Sequence, residues 1–425
     1  MLHRLAGLIE DNRELLVTID AWDNGDRSET QHRDSCANPR FHSGKKYSEA
    51  FEGDLVDPIS VLKYYAGWTD KLSELAYTVR QPIGVVAQII PWNYPLSMAT
   101  WKLGPAMACG NTVVLKPAEQ TPLSILVLAS LIKKAGLPPG VVNIVDGYGR
   151  EVGSALVEHH LVDKIAFTGS TATAIGIMQT AAQTLKKITL ETGGKSPLVV
   201  FADADLDQAV NWSHMGIMSN QGQICTATSR ILVQSAVYDR FLIQFLDRVK
   251  TVSKVGSQWE KDTYQEPQVS KAQYDQILKH INLGKQEGVV LATGGLPIDV
   301  GGKGFFTAPT VFTDVTPSMS IFKEEIFGPV VTITRFEDEA EAVAIANDSI
   351  YGLSASIFTS DLERAHRVAD QMEVGTVWVN SSQDSDVRVP FGGMKQSGIG
   401  RELGEAALEA YIQTKAVHIN MGSKL

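Results

Sequence analysis

Cysteine is scarce in this sequence: Cys36, Cys109 and Cys225 are the only three in 425 residues, and no two of them stand as CxxC. That excludes a disulfide framework and a cysteine zinc site, and it points to a reducing compartment, the cytoplasm being the expected one. The nine histidines offer no HExxH spacing. The neighbours His159 and His160 would leave a helix on different sides, so no metal is expected.

Basic residues are short as well. With 38 Lys and Arg against 48 Asp and Glu, the formal net charge is −10, which repels phosphates and acidic lipids alike. No nucleic-acid or membrane partner is expected, and a small-molecule substrate is. Long hydrophobic runs are missing too: the longest apolar stretch, Ile125 to Ile132, falls far below the roughly 18 residues that span a bilayer. The opening Met1 to Leu16 spaces Leu2, Leu5, Leu8, Ile9, Leu15 and Leu16 on one helical face and mixes both charge signs, which is no signal peptide. The phosphate-binding pattern GxGxxG is absent. Gly147 to Gly153 comes near it with one residue too many and reads as a plain loop.

What is present is a large soluble chain, 44% hydrophobic and 20% charged, too long for a single core. Short β-branched runs alternate with helical stretches: Val85 to Ile90, Thr112 to Leu115, Val141 to Val145, Lys164 to Phe167 and Lys187 to Leu190 read as strands. This is the rhythm of a doubly wound α/β sheet. Between two of them, Thr121 can cap a helix that Pro122 opens, Lys133 and Lys134 suit its negative end, and Gly136 stops it. A second α/β block follows, with strands Pro197 to Phe201 and Arg230 to Gln234 and a helix over Val237 to Val252. The glycines Gly193 and Gly194, where the chain can turn at no steric cost, mark the boundary.

Five stretches carry chemistry. Asn220 to Cys225 delivers one cysteine from a small polar loop next to Gly222, as a nucleophile requires, although a lone cysteine is commonly just a buried hydrophobe. Cys109 among alanines reads as such a packing residue, and Cys36 as an idle surface thiol. Glu191 stands just past a strand end, where ligands of open α/β sheets gather; it either decorates the glycine turn or takes a proton from water. Asn93 in Pro91-Trp92-Asn93-Tyr94-Pro95 is either a turn residue or an amide donor to an oxyanion. Lys116 and Glu119 are either a solvated pair or the holders of a ribose. Phe167-Thr168-Gly169-Ser170-Thr171 turns a strand into a helix start and offers backbone N–H groups to a phosphate.

In this order and spacing, PWNYPL, GNTVVLKPAEQTP, FTGST, LETGGKSP, NQGQICTATSR, EEIFGPV and PFGGMKQSGIGRELGE strongly resemble the aldehyde dehydrogenase superfamily, and the resemblance covers nearly the whole chain. It implies a doubly wound dinucleotide-binding domain (1–194), a second α/β catalytic domain (195–398), and a C-terminal helix and small β oligomerisation arm (399–425). It implies an enzyme that oxidises an aldehyde to a carboxylic acid with NAD, NADP being disfavoured because Glu119 would repel a 2′-phosphate. Cys225 matches the family's nucleophile, Glu191 its general base, Asn93 with the backbone N–H of Cys225 its oxyanion site, and Lys102 with Glu402 a proton relay. Ile90, Pro91, Trp92, Gly149, Phe167 and Gly169 match cofactor-binding positions. Lys116 and Glu119 match those at the adenosine ribose, Ser170 one near the pyrophosphate, and Glu325 and Phe327 the pair at the nicotinamide ribose. Tyr94, Trp101 and Phe391 match aromatic substrate-pocket positions, and a homo-oligomer is the family expectation.

The sequence also departs from the family. Relatives carry a longer N-terminus, so a cofactor domain lacking its opening elements is expected. Asp26 to Gly44 is a polar stretch with no counterpart; it reads as an exposed loop, and its foreign composition and well-joining flanks fit a translated intron. The run 69–82 is shorter than the excursion relatives use for subunit pairing. Thr192 replaces an apolar residue, and Ser381 to Val389 forms an unusual mouth in which Asp384 and Asp386 either favour a polar or cationic aldehyde or are simply solvated.

Overall fold

β-Branched runs buried on both faces are what a parallel sheet needs, and the computed structural model, which describes residues 1–23, 51, 54–68 and 78–417, builds two such sheets. Asp26 to Gly44, Cys36 and the run 69–77 lie outside the described residues. The strand ladder of the first sheet comprises β2 (Val85–Ile89), β3 (Thr112–Lys116), β4 (Val142–Ile144), β5 (Lys164–Thr168) and β6 (Lys187–Glu191), following the short β1 (Thr78–Pro82). Spatially the order is β6, β5, β2, β3, β4, all parallel, with Gly398–Ile399 added antiparallel beyond β6. The chain leaves β2 in one direction to β3 and β4, then returns to the other side for β5 and β6, which opens a crevice at the carboxyl ends of β2 and β5.

Alternation along each strand serves two helical layers. Val86 and Ala166 face one core with the helices Leu2–Asp11, Val56–Ala66, Pro95–Ala108 and Leu123–Lys134, while Ala87, Ile89, Ile165 and Phe167 face another with Thr171–Ala181. Three local expectations need correction. The N-terminal helix breaks at Asn12 into Leu2–Asp11 and Arg13–Asp23, and the break leaves Leu15 half exposed. Thr121 does not cap the helix Leu123–Lys134: Pro122 is the N-cap residue, and the Thr121 hydroxyl donates to the Trp92 carbonyl at 3.4 Å instead. Gly149–Gly153 is a wide helical turn running into Ser154–Glu158 rather than a plain loop; His159 and His160 follow that helix and stack on each other.

The second sheet contains β7 (Pro197–Val200) and β8 (Arg230–Gln234), flanked by Ser354–Phe358 and Thr376–Val379 on one side and Val330–Phe336, Thr310–Thr313 and the antiparallel Val290–Thr293 on the other. Helix Tyr238–Val252 packs Phe241, Phe245 and Val249 on one face, and Lys271–Gln286 packs Ile277 and Ile281 on the other. Ile412–Ala416 pairs with β1 as a two-stranded ribbon.

Arg230 ties the crossover between the sheets to the second sheet. Fully buried on β8, it donates from Nε to the Lys195 carbonyl at 2.7 Å and from its two terminal nitrogens to the carbonyls of Ile345, Ala346 and Asp348. A hydrocarbon there leaves those acceptors without a donor, at about 1–3 kcal/mol each. Arg230→Met is therefore expected to lower the unfolding free energy by at least roughly 3 kcal/mol in chemical denaturation; a loss below about 1 kcal/mol would contradict the assignment.

Candidate active site

The crevice predicted by the strand order is a hollow of about 600 Å³. The segment Ile90 to Trp92 lines it after β2, Lys116 and Glu119 after β3, Gly149 and Arg150 after β4, and Phe167 to Gly169 at the end of β5. Lys116 is buried to 1% exposure, with Nζ donating to the Pro117 carbonyl at 2.7 Å and to Glu119 Oε2 at 3.3 Å, so the pair is preset rather than solvated. Ser170 caps the helix Thr171–Ala181, its hydroxyl accepting from the Thr173 N–H, which leaves that helix's positive end facing the crevice. An elongated hollow with a buried cation, an acidic rim and a helix start fits a dinucleotide.

A second cavity of about 280 Å³ continues from the first, the two sharing Pro91, Trp92, Thr168 and Gly169. Asn93, Tyr94, Ser170, Cys225, Glu325 and Phe327 line it. Asn93 is held by its Nδ2 donating to the Gln223 carbonyl at 2.9 Å. Phe327 takes a left-handed φ of 57°, which turns its ring edge to face against Trp92 at 5.4 Å. Cys225 follows a turn in which Asn220, Gln221 and Gly222 are all left-handed, at φ 47°, 55° and 69°. The two side-chain-bearing residues of that turn cost roughly 1–2 kcal/mol each. Gly222 thus serves the turn and packs on Gly328 instead of opening space for a ligand. After the nucleophile candidate, Gln383 clasps Thr226 twice, accepting from its hydroxyl at 2.5 Å and donating to its carbonyl at 2.9 Å.

Gly193 and Gly194 join the two sheets at this point, and the reason for glycine is space rather than a turn, because neither has a positive φ. A Cβ on Gly193 would lie 2.1 Å from Glu325 Oε2, and one on Gly194 would lie 2.4 Å from the Cys225 carbonyl oxygen. The Gly194 N–H donates to Glu325 Oε1 at 3.0 Å. Thr192, the polar replacement, anchors the same crossover on its other side, where its hydroxyl donates to the Gln396 carbonyl at 2.6 Å.

Glu191, at the end of β6 and one residue before Thr192 of the cavity wall, is buried and itself lines neither cavity, and among the described residues neither of its carboxylate oxygens has a hydrogen-bond donor. Burial raises its pKa well above 4.5, Glu402 adds to the rise, and Lys102 and Arg401 oppose it. Lys102 is fully buried, its Nζ 2.5 Å from Glu402 Oε1 and 2.6 Å from the Thr168 hydroxyl. Burial, then Glu325 and Glu191, push the Cys225 thiol up to about 12, against which its own N–H and that of Thr226 act weakly. Burial also raises Glu325 to about 7, opposed by the Gly194 N–H and Lys195. The resting site thus shifts the thiol and the carboxyls of Glu191 and Glu325 toward their protonated forms.

Of the residues singled out from sequence, Trp101 and Phe391 line neither cavity; they pack edge to face at 5.1 Å, and the Trp101 indole N–H donates to Asp57 Oδ2 at 2.5 Å. Asp384 is exposed and Asp386 is spent on Arg388, so neither lines the cavity. Cys109 is buried among the first core's side chains, as its neighbours imply. Met98, Gln273 and Gln276 line the smaller cavity without having been singled out. Met98 falls one turn after Tyr94, a helical spacing that could have revealed it.

The aldehyde dehydrogenase family model matches residues 1–417. The chain belongs to the aldehyde dehydrogenase family. It is 49% identical to an aldehyde dehydrogenase of Emericella nidulans, across all of this chain and 83% of that protein. It is 46% identical to aldehyde dehydrogenase [NAD(P)+] 1 of Saccharomyces cerevisiae, across 99% of this chain and 82% of the relative. An aldehyde dehydrogenase from Bacillus cereus, solved as an NAD+ complex, superposes with a TM-score of 0.92 at 45% identity, covering 99% of this chain and 83% of that one. Betaine aldehyde dehydrogenase from Staphylococcus aureus, solved with NAD+, gives 0.92 at 39% identity, over 100% and 84%. An enzyme of this class acts on an aldehyde, and the doubly wound α/β architecture is that of these relatives.

In an aldehyde dehydrogenase built this way, a carboxyl at Glu191 must be ionised to accept a proton. Its folded pKa is raised above the ordinary 4.5, so the ionised form is lost as pH falls through that raised value, and turnover that draws on Glu191 as a base falls with it. The acid limb of the pH profile of aldehyde turnover is expected to lie above the ordinary carboxylate range. A half-maximal rate between about 4 and 5 would place the carboxyl in its unperturbed range and contradict this environment.

Proposed function

We propose that this enzyme oxidises an aldehyde to a carboxylic acid with NAD, through a covalent thioester on Cys225. The observation that carries the reading is the convergence of Cys225, Asn93 and Glu325 on one cavity that adjoins the larger crevice, with the buried Glu191 next in sequence to Thr192, which lines it. Lys116 and Glu119 would hold a ribose, the start of helix Thr171–Ala181 the phosphates, and Glu325 with Phe327 the second ribose. Glu119 disfavours a 2′-phosphate by like-charge repulsion, and so favours NAD. NAD, when bound, supplies the acceptor for the aldehyde hydrogen.

The protein's own part follows from its groups. The Cys225 sulfur adds to the aldehyde carbon; its thiol proton, which the resting environment retains, leaves to water in the cavity, and as the C–S bond forms the carbonyl π pair moves onto the oxygen. Asn93, whose Nδ2 donates to the Gln223 carbonyl, is the amide that donates to the oxygen that becomes negative. After oxidation, Glu191 takes a proton from water as that water attacks the thioester, and the Lys102–Glu402 pair accepts or returns the proton from the buried side. A carboxylic acid, rather than an acyl group passed to coenzyme A, is the product such a base favours. A free, working thiol suits a reducing compartment such as the cytoplasm.

Purified protein with NAD and a panel of aldehydes tests the reading. NADH formation is expected from the parent and a loss of at least about a thousandfold from Cys225→Ala. A folded parent that makes no NADH with any aldehyde, or a Cys225→Ala variant that keeps turning over, would contradict it.

A further inference from the structure

Three consecutive left-handed residues, two of them carrying side chains, do not hold themselves in place, and such a run persists only where its surroundings over-determine it. The run Asn220-Gln221-Gly222 ends three residues before Cys225, and part of what holds it is a separate segment, Gln265 to Val269. Glu266, buried to 2% exposure, accepts from Gln221 Nε2 in a short hydrogen bond. Gln221 Oε1 in turn accepts from Gln223 Nε2 at 3.2 Å, and Gln223 Oε1 accepts from the Val269 N–H at 3.1 Å. Beside them Gln265 donates to the Met218 carbonyl. The Gln223 carbonyl is the group on which Asn93 and Asn220 both rest their amides, at 2.9 and 3.3 Å.

Three hydrogen bonds therefore connect Glu266 to the Asn93 amide. A carboxylate is the group suited to anchor the chain, because it only accepts, and a charge-assisted bond to Gln221 is stronger than an amide–amide one. We infer that Glu266 is a positioning residue: through Gln221 and Gln223 it sets the direction of the Asn93 amide toward the oxygen of the reacting carbonyl. This rests on Cys225 chemistry as proposed above. Glu266 touches neither cavity, so it acts only through the residues it holds.

The test separates aiming an oxyanion donor from merely holding a loop. Aldehyde turnover needs Asn93, whereas alkylation of Cys225 by iodoacetamide builds no oxyanion. In Glu266→Ala, kcat is expected to fall roughly tenfold to a hundredfold, the range for a displaced oxyanion donor, while KM for NAD and the alkylation rate stay within about threefold. Glu266→Gln keeps an acceptor for Gln221 and is expected to recover most of kcat. Gln221→Glu sets two carboxylates against each other and should lose turnover, which the double variant Glu266→Gln with Gln221→Glu restores by exchanging the partners.

A kcat for Glu266→Ala within about threefold of the parent would overturn the inference, as would an alkylation rate that falls in step with kcat. If Glu266→Ala does not fold, the exchange pair decides: a double variant no better than Gln221→Glu overturns it. A Cys225→Ala control keeps the two readings apart. If that variant is inert while the Glu266 variants behave as the parent, only the brace fails; if it is active, the thioester reading fails first.

Discussion

The approach of Gly193 and Gly194 to Glu325 and Cys225 is the contact on which the site depends. Glu191 belongs to the first sheet, and Cys225 and Glu325 to loops of the second; they meet because two successive residues without side chains let the crossover press against both. Any Cβ there would stand 2.1 to 2.4 Å from an oxygen, which packed protein does not allow. Arg230 secures the next residue of the same crossover by its carbonyl, so the junction is held from the second sheet as well.

Around that junction the protein buries more ionisable groups than a core normally accepts. Glu191, Lys102 and Glu402 are shielded from water and Glu325 is partly so at the cavity wall; Lys102 and Glu402 form a close pair. Such burial is costly, and its chemical effect is to raise the Cys225 thiol and the carboxyls of Glu191 and Glu325 above their ordinary values. The face of the first sheet beneath helix Pro95–Ala108 is polar for the same reason: Gln88, Lys164, Thr168, Thr189 and Glu191 lie on it, and Lys164 bonds to Thr189 at 2.5 Å.

Much of this was legible in the residues. Every strand read from β-branched runs is present to within a residue or so, because burial on both faces leaves a continuous apolar signature, as in Lys164–Thr168 and Pro197–Val200. Asn93, Lys116, Glu119 and Cys225 stand at strand ends or in polar loops, where chemistry is the alternative to a turn. What was not legible depends on distant partners. Gly398–Ile399 joins the first sheet some two hundred residues after β6, and nothing local announces it. Glu266 in Gln-Glu-Pro-Gln carries no sequence signal of a role, and its burial against Gln221 depends on a residue 45 positions away. Leu15 has the spacing of a buried residue and is exposed because the helix breaks at Asn12.

The central claim is that a sulfur at the junction carries the substrate's acyl group between oxidation and hydrolysis. Glu191→Gln enzyme, mixed with NAD and an aldehyde and quenched in acid, tests it by peptide mass spectrometry. The peptide containing Cys225 is expected to carry the mass of one acyl group, formed in equal amount to the first NADH. Stoichiometric NADH with an unmodified Cys225 peptide would contradict it.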